Sequence, residues 1–543
     1  MMALQGSPLF YLSAKHRMTL KPIIISALYS IVIFAGYAQE AWSPDNGDGS
    51  FTNPIMWGDW PDPDIIRVDD DFYFVSTSMH YVPGCPIARS RDLVNWEMVG
   101  YAVDRYDEDP RYDLLGGNMY LRGSWANSIR YHDGKFYVAF CTPNWDNEAG
   151  HFSICEATDP AGPWSRTIFT DYLYDPGLFF DEDGSAYVVH GQGKLMLSRL
   201  SDDLHSTVGE PIVIWNERFD RERNLGGFYG MEGSHMYKIN GRYYITCPAG
   251  GTEGWQVCLR ADSIAGPYEY KIIMDDDSSY PGNGLHQGGM VQLRNGDWWF
   301  IIMQDRGPIG RVPHLVPVKW SDGWPMLGDN GKDLITYPKP SVEVDCPIMT
   351  PATSDEFDCN RLGLQWQWNH NPDTTRWSLS DRPGYLRLTA STAHDLKDAR
   401  NTLTQRVQGP QSQGTVCMEI GALRNGNISG LGIFQFPYAY VAVKRCDGHD
   451  VIVMNNDGTD IETIDLDDNT DKVWFRTRIT DRDFKAYFYY SVDGKEFHRI
   501  GDTLKMGLGL DWTANRFALF NFSVSPDGEG GNADFDWFHF SPR

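Results

Sequence analysis

At 543 residues the chain exceeds what a single hydrophobic core holds and points to two domains of ordinary size. Asp and Glu outnumber Lys and Arg by 73 to 47, and the resulting formal charge of −26 disfavours nucleic acid and anionic membrane surfaces as partners. With 19 Trp, 28 Tyr and 27 Phe and few long amphipathic windows, the composition is that of an all-β globular protein whose aromatic load suits carbohydrate rings, although most of those rings are expected in the core.

Residues 1–38 have the three regions of a secretory signal peptide. Lys15, Arg17 and Lys21 stand without an acid, an apolar run follows from Ile23 to Ala35, and small residues precede Gln39. The run is short for a bilayer and no second one follows, so no membrane span is expected in the mature chain, which is read as exported to the periplasm or the extracellular space. Met18, just ahead of Lys21, offers an alternative start. All nine cysteines lie beyond this leader. Their odd number, the lack of any CxxC and the apolar runs around Cys141, Cys155, Cys247, Cys258 and Cys417 favour buried free thiols, with a disulfide left open.

From residue 58 onward one shape recurs five times: a residue with a functional side chain, a short apolar strand, a turn, and a second strand rich in aromatics. The leading residues are Asp62, Trp125, Asp175, Glu232 and Gln287, and the aromatics past the turn are Tyr73, Tyr137, Tyr187, Tyr244 and Trp299. Aligned on those aromatics, four leading residues lie 12 positions upstream and Asp62 lies 11, and successive aromatics are 64, 50, 57 and 55 residues apart. Asp133-Gly134, Asp183-Gly184, Asn240-Gly241 and Asn295-Gly296 are hairpin signals, because primed turns need positive φ at their centre. Five β-units at this spacing predict a β-propeller over 41–339. Equivalent positions of a propeller face one axis, so the repeat brings Asp62, Asp175 and Glu232 to a common mouth. One Asp before Pro, or one Glu before Gly, commonly does no more than cap a turn; three in register are better read as a site. The long stretches 105–123 and 215–230 are expected on the mouth side, since long loops in compact domains usually serve function.

Composition shifts to Pro, Thr and Ser after Thr336, and 340–354 is read as a linker. Beyond it, nine alternating segments with turn signals such as Asp493-Gly494 predict an antiparallel β-sandwich over 355–543. Within it, Trp366 and Trp368 alternate like core residues, whereas Gly507-Leu508-Gly509-Leu510-Asp511-Trp512 is a glycine-punctuated, apolar segment suited to lie against another surface.

Read together, Trp60-Pro61-Asp62-Pro63-Asp64, Ser90-Arg91-Asp92-Leu93-Val94-Asn95-Trp96, Asp175-Pro176-Gly177, Glu232-Gly233-Ser234-His235-Met236 and His286-Gln287-Gly288-Gly289 resemble glycoside hydrolase family 43 in its two-domain β-xylosidase and α-L-arabinofuranosidase type. Leu364-Gln365-Trp366-Gln367-Trp368-Asn369-His370-Asn371-Pro372 extends the resemblance into the second domain. It implies a five-bladed propeller followed by a concanavalin A-like sandwich that packs against it. It also implies an exo-acting, inverting hydrolase that releases terminal β-D-xylose or α-L-arabinofuranose from plant cell-wall fragments. Asp62 would be the general base, Glu232 the general acid, and Asp175 the residue that tunes and orients the acid.

The chemistry asks for this set: an acid with a raised pKa protonates the glycosidic oxygen while an ionised partner activates water across the sugar, about 6.5–9.5 Å away in an inverting pair. A third carboxylate beside Glu232 would raise its pKa by like-charge repulsion. By the same resemblance Arg311 would bind sugar hydroxyls and hold Asp62 ionised, or else form a surface salt bridge. Trp125 would be a stacking wall, or a structural Trp. His286, Gln287 and Tyr81 would line the substrate pocket. No cofactor is required, and His286 leaves room for a structural Ca²⁺ in the propeller channel. Two departures, Met79-His80-Tyr81-Val82 before Pro83-Gly84 and Asn127 in Trp125-Ala126-Asn127, are expected at the pocket and leave the terminal sugar open. The alternatives are a carbohydrate-binding propeller without catalysis and a family member acting on another sugar, such as galactose.

Overall fold

The computed structural model describes residues 42–143, 150–216, 230–344 and 346–542. The leader expected at 1–38 and most of the loop expected at 215–230 lie outside them. Five antiparallel four-stranded sheets follow one another in chain order. Blade one is Asp64–Val68, Asp71–Val75, Gly84–Ser90 and Trp96–Val103; blade two is Trp125–His132, Lys135–Thr142, His151–Ala157 and Ser165–Phe169. Blade three is Gly177–Phe180, Ala186–His190, Leu195–Leu200 and Thr207–Trp215; blade four is His235–Ile239, Arg242–Ala249, Trp255–Ala261 and Glu269–Met274. Blade five is Leu285–Gln292, Trp298–Asp305, Arg311–Ser321 and Trp324–Leu327. Thr336–Pro338 pairs antiparallel with Ser50–Thr52, so the chain leaving blade five clasps the segment that leads into blade one.

The repeat is real, but aligning on the aromatics misplaces two blades by one residue. The aromatics pair across the hairpin with Ile66, Arg130, Phe179, Tyr237 and Val291. Four positions before each of these stands a residue with left-handed backbone: Asp62 (φ 52°), Ala126 (47°), Asp175 (50°), Gly233 (52°) and Gln287 (55°). These are the equivalent positions, so Trp125 and Glu232 each precede the repeat position instead of occupying it.

The offset comes from the turns. Blades one, two and four close with two-residue loops, as Val68 pairs Asp71, His132 pairs Lys135 and Ile239 pairs Arg242. In blades three and five the N–H of Asp181 bonds Ser185 O and that of Leu293 bonds Asp297 O, which leaves three-residue loops that end on the left-handed Gly184 and Gly296. One extra turn residue shifts the aromatic by one.

The second domain is built from two sheets, one nine-stranded and one seven-stranded. Val416, Phe475, Phe488, Phe517, Leu519 and Phe538 fill the space between them, and Trp366 and Trp368 belong to this core, as expected. Its larger sheet borrows a strand from the propeller: Tyr81–Val82, from the second connection of blade one, pairs with Gln367–Asn369. Tyr81 is therefore not a substrate-binding residue. It is 2 % exposed, and the Arg516 guanidinium lies 4.0 Å over its ring. His80 beside it bonds Asn369.

Asn127 is buried as well, donating to Ser76 O at 2.6 Å, so neither of the two sequence departures reaches the pocket through these side chains. Nor does 105–123 lie mainly at the mouth. Asn371 brackets the backbone of Tyr106, the Asn371 N–H bonds Tyr112 O, and the Met119 N–H bonds His370 Nε2, which docks the stretch on the sandwich. Arg406 completes the seam, with its guanidinium 3.9 Å over Trp60 and its Nε donating to Asp59 O.

Candidate active site

The residues at the blade mouths converge on one pocket. Its wall contains Asp62, Trp125, Ala126, Tyr174, Asp175, Gln192, Glu232, His286, Gln287, Asp305 and Arg311 from the propeller, and Trp512 from the sandwich. A polar floor ringed by carboxylates and closed at one side by two indoles is the composition expected for a sugar site, where a few placed polar groups fix orientation and aromatic faces supply area.

Each carboxylate has a distinct environment. Asp62 is 5 % exposed, and its Oδ1 accepts a 2.8 Å bond from Arg311 Nη1. Arg311 is itself buried, at the start of the third strand of blade five, and a second nitrogen donates to Trp512 O at 3.3 Å. It is thus an internal cation tied to a carboxylate, with no resemblance to a surface salt bridge. The neighbouring Asp64, two residues on, has no part in the pocket. It is fully buried between blades, where Oδ2 accepts from Ser128 Oγ, Ile129 N and Arg130 Nη1; the Arg130 charge, then His235 and the Ile129 N–H, hold its carboxyl below the usual range despite burial.

Asp175 is also 5 % exposed, and its Oδ2 accepts the Gly233 N–H at 3.2 Å. Burial first, then the charges of Glu232 and Asp62, push its carboxyl well above the ordinary carboxylate range. Glu232 Oε2 accepts from Gln192 Nε2 at 2.6 Å and faces the Tyr174 hydroxyl at 3.4 Å. Burial raises Glu232 to about 7, the Asp62 charge adds to the rise, and the Gln192 and Tyr174 donors oppose it. Repulsion within the Glu232–Asp175 pair is reciprocal, so whichever group ionises first makes the second harder to ionise. Both members of the pair therefore favour their neutral forms, beside an Asp62 that is tied to an arginine.

Trp125 is 8 % exposed, anchored through Nε1 to Leu121 O, and stands edge-on to Trp512 with ring centroids 5.9 Å apart. It is both structural and part of the wall. The glycine-punctuated segment ends here: Gly509 N–H bonds Phe436 O within the sandwich, and Trp512, with left-handed backbone (φ 54°), carries its ring across to the propeller. Gln287 presents its backbone N–H to Gln256 Oε1 at 2.7 Å.

His286 holds Gly284 O through Nδ1 at 2.9 Å, and its Nε2 is 3.6 Å from Asp305 Oδ2. One nitrogen and one carboxylate do not make the six to eight oxygen ligands of a calcium ion. Among the described residues, a group of three or more metal-ligating side chains occurs only at His394, Asp395 and Asp398 on the sandwich.

Sequence reading missed Gln192, Asp305, Met303 and Thr252 in the wall. Tyr174 stood next to a singled-out residue and carried that signal; Gln192 carried none, since it lies in a loop that no repeat position marks.

Comparison with known proteins gives the family. The family model "Glycosyl hydrolases family 43" matches residues 51–325, and "Beta xylosidase C-terminal Concanavalin A-like domain" matches 354–541. A putative β-xylosidase of Xylanibacter ruminicola is 36 % identical over 491 residues, covering 88 % of this chain and 87 % of its own. A non-reducing end α-L-arabinofuranosidase of Bacteroides ovatus is 35 % identical over 356 residues, covering 62 % of this chain and 65 % of its own. Among solved structures, a bifunctional GH43-CE protein of Bacteroides eggerthii superposes with a TM-score of 0.82 at 38 % identity, over 93 % of this chain, which spans 64 % of that longer protein. A propeller whose five mouths meet at one carboxylate-lined pocket, completed by a concanavalin A-like domain, places this chain in glycosyl hydrolase family 43, as a glycosidase of the two-domain xylosidase and arabinosidase type.

Proposed function

We propose that the protein is an exported, exo-acting, inverting glycosidase that removes terminal β-D-xylosyl or α-L-arabinofuranosyl units from plant cell-wall fragments. One observation carries the reading: Glu232, raised to about 7, and Asp62, bonded to Arg311, line the same pocket. In this scheme Glu232 protonates the glycosidic oxygen, and Asp62 takes a proton from the water that attacks the anomeric carbon from the opposite face. The bond to the leaving oxygen breaks as the new C–O bond forms, which inverts the centre in one displacement. Asp175, bonded to the N–H next to Glu232, keeps the acid oriented, while burial and the Asp62 charge keep its proton available. Arg311, Trp125, Gln287 and His286 bind the terminal sugar.

Exo action is supported by Trp512, which with Trp125 walls one side of the pocket. The relatives named as β-xylosidase and α-L-arabinofuranosidase support a pentose, and the leader-like residues 1–38 support export.

The test combines aryl xyloside, aryl arabinofuranoside and the matching oligosaccharides with proton NMR of the first-formed sugar. Release of one terminal pentose with inverted anomeric configuration is the expected result; retention would refute the single displacement. In Glu232→Gln, disaccharides should lose about 10³-fold or more in kcat while activated aryl glycosides lose far less. Equal losses would refute the acid assignment.

A further inference from the structure

Gln192 sits where nothing in the repeat pattern asks for a functional residue. It lies on the tight turn Gly191-Gln192-Gly193 after the second strand of blade three, and that turn is fastened on both sides. The Gly191 N–H bonds Tyr174 O at 2.8 Å, and the Gly193 N–H bonds Met231 O at 2.9 Å. Tyr174 and Met231 immediately precede Asp175 and Glu232, so the turn is a clip between the two loops that carry the paired carboxyl groups.

Its glycines are demanded by geometry. Gly191 and Gly193 have φ of 112° and 69°, and a Cβ at Gly191 would stand 2.3 Å from Lys194 O. A Cβ at Gly230, across from the turn, would stand 2.2 Å from Gly193 Cα. Held this way, the Gln192 amide reaches Glu232 Oε2 at 2.6 Å, and the Tyr174 hydroxyl approaches the same oxygen.

A protonated carboxyl group has one acceptor oxygen and one hydroxyl. An oxygen that receives an amide N–H is the acceptor, which leaves the other to carry the proton. We propose that Gln192 is the positioning residue of the acid, clipped between the Asp175 and Glu232 loops so that its amide occupies Glu232 Oε2 and assigns the transferable proton to Oε1. The inference rests on Glu232 being the general acid and adds which of its oxygens delivers the proton and what holds it there. Without the amide only the longer Tyr174 contact marks Oε2, so the proton is shared more evenly between the two oxygens and the carboxyl is freer to rotate; substrates that need protonation suffer and those with good leaving groups do not. The same bond favours the ionised form of Glu232, so its loss raises the pKa of the acid.

The experiment measures kcat/KM against pH for wild type, Gln192→Met and Glu232→Gln, on a nitrophenyl pentoside and on the corresponding pentose disaccharide. Gln192 is exposed, and methionine there should move the melting temperature by no more than about 2 °C. In Gln192→Met the alkaline limb is expected to move up by about half to one pH unit. Turnover of the disaccharide is expected to fall about ten-fold, with the nitrophenyl substrate changed less than about three-fold. An unmoved limb overturns the proposal, and so does a downward shift, which would mean that the amide accepts the acid's proton instead of donating to it. If Glu232→Gln shows no leaving-group dependence, the acid assignment itself falls. If it does while Gln192→Met leaves the limb in place, only the role of Gln192 falls.

Discussion

Truncating Trp512 asks how much of this glycosidase's pocket belongs to the sandwich. The Trp512 ring is 39 % exposed, and its buried part rests on Trp125. A tryptophan side chain presents about 250 Å², so roughly 100 Å² remains open for a bound sugar. At about 25 cal/mol per Å² full coverage contributes about 2.5 kcal/mol, and coverage of half that area about 1.2 kcal/mol, or close to ten-fold in binding. Trp512→Ala should therefore lower kcat/KM about ten-fold on aryl pentosides, mostly through KM, because the ring touches no proton that moves. Its backbone carbonyl still accepts from Arg311, so the ion pair with Asp62 survives. The stability loss should be about 1–2 kcal/mol, since the ring is already partly wet. Kinetics well below the melting temperature separate the two effects. With the wall lowered, longer oligosaccharides gain relative to short ones. An unchanged kcat/KM in a folded variant would refute the view that the second domain completes the pocket.

Two further outcomes follow from the same geometry. Glu232 has a folded-state pKa of about 7 against an ordinary value of 4.5, so its neutral form is the one the fold favours. That stabilisation is complete below about pH 4.5 and is lost as pH rises through 7, by about 2 kcal/mol once partial exposure is allowed for. Glu232→Gln should then be more stable than wild type at pH 8, with the gap closing at pH 5 in denaturant melts at both pH values; a gap independent of pH would contradict a raised acid. Tyr81→Phe tests the seam: the Tyr81 hydroxyl is buried without a partner, so its removal should be neutral to mildly stabilising and leave kcat/KM within about two-fold. A large loss of activity would return Tyr81 to the substrate pocket.

What was legible in the sequence is what a period reveals. Hairpin turns, aromatic spacing and the three carboxylates follow from local chemistry repeated five times, so the propeller and the convergence of Asp62, Asp175 and Glu232 on one pocket were within reach. A one-residue difference in turn length was not, because Asp183-Gly184 and Asn295-Gly296 carry the same dipeptide signal as the two-residue turns while ending three-residue loops. Tyr81 failed for another reason. Its motif lies between two strands of blade one, and only the tertiary fold shows that this connection becomes an edge strand of the other domain. Gln192 and Asp305 occupy loop and strand-end positions that are set by neighbouring blades, and composition says nothing of them.

The corrected register also gives Asp175 a structural task apart from its charge. In all five blades the left-handed residue donates its N–H to a side chain of the preceding blade, on one of its strands, on a connection or on the segment that enters it. Asp62 donates to Met303 Sδ, Ala126 to Thr77 Oγ1, Asp175 to Cys141 Sγ, Gly233 to Asp175 Oδ2 and Gln287 to Gln256 Oε1. The mouth is thus closed by a ring of side-chain acceptors, each fixing the next blade, and left-handed backbone is tolerated where such contacts over-determine it. At four of the junctions the acceptor is a sulfur, hydroxyl or amide that lends the next blade position but little charge. At the junction of blades three and four it is the carboxyl group of Asp175, and the residue it fixes is Gly233, whose neighbour is Glu232. The same bond that closes the ring therefore sets the backbone on which the acid is mounted. It requires an acceptor oxygen at Asp175 in whichever protonation state the pair adopts, and a carboxyl group supplies one in both.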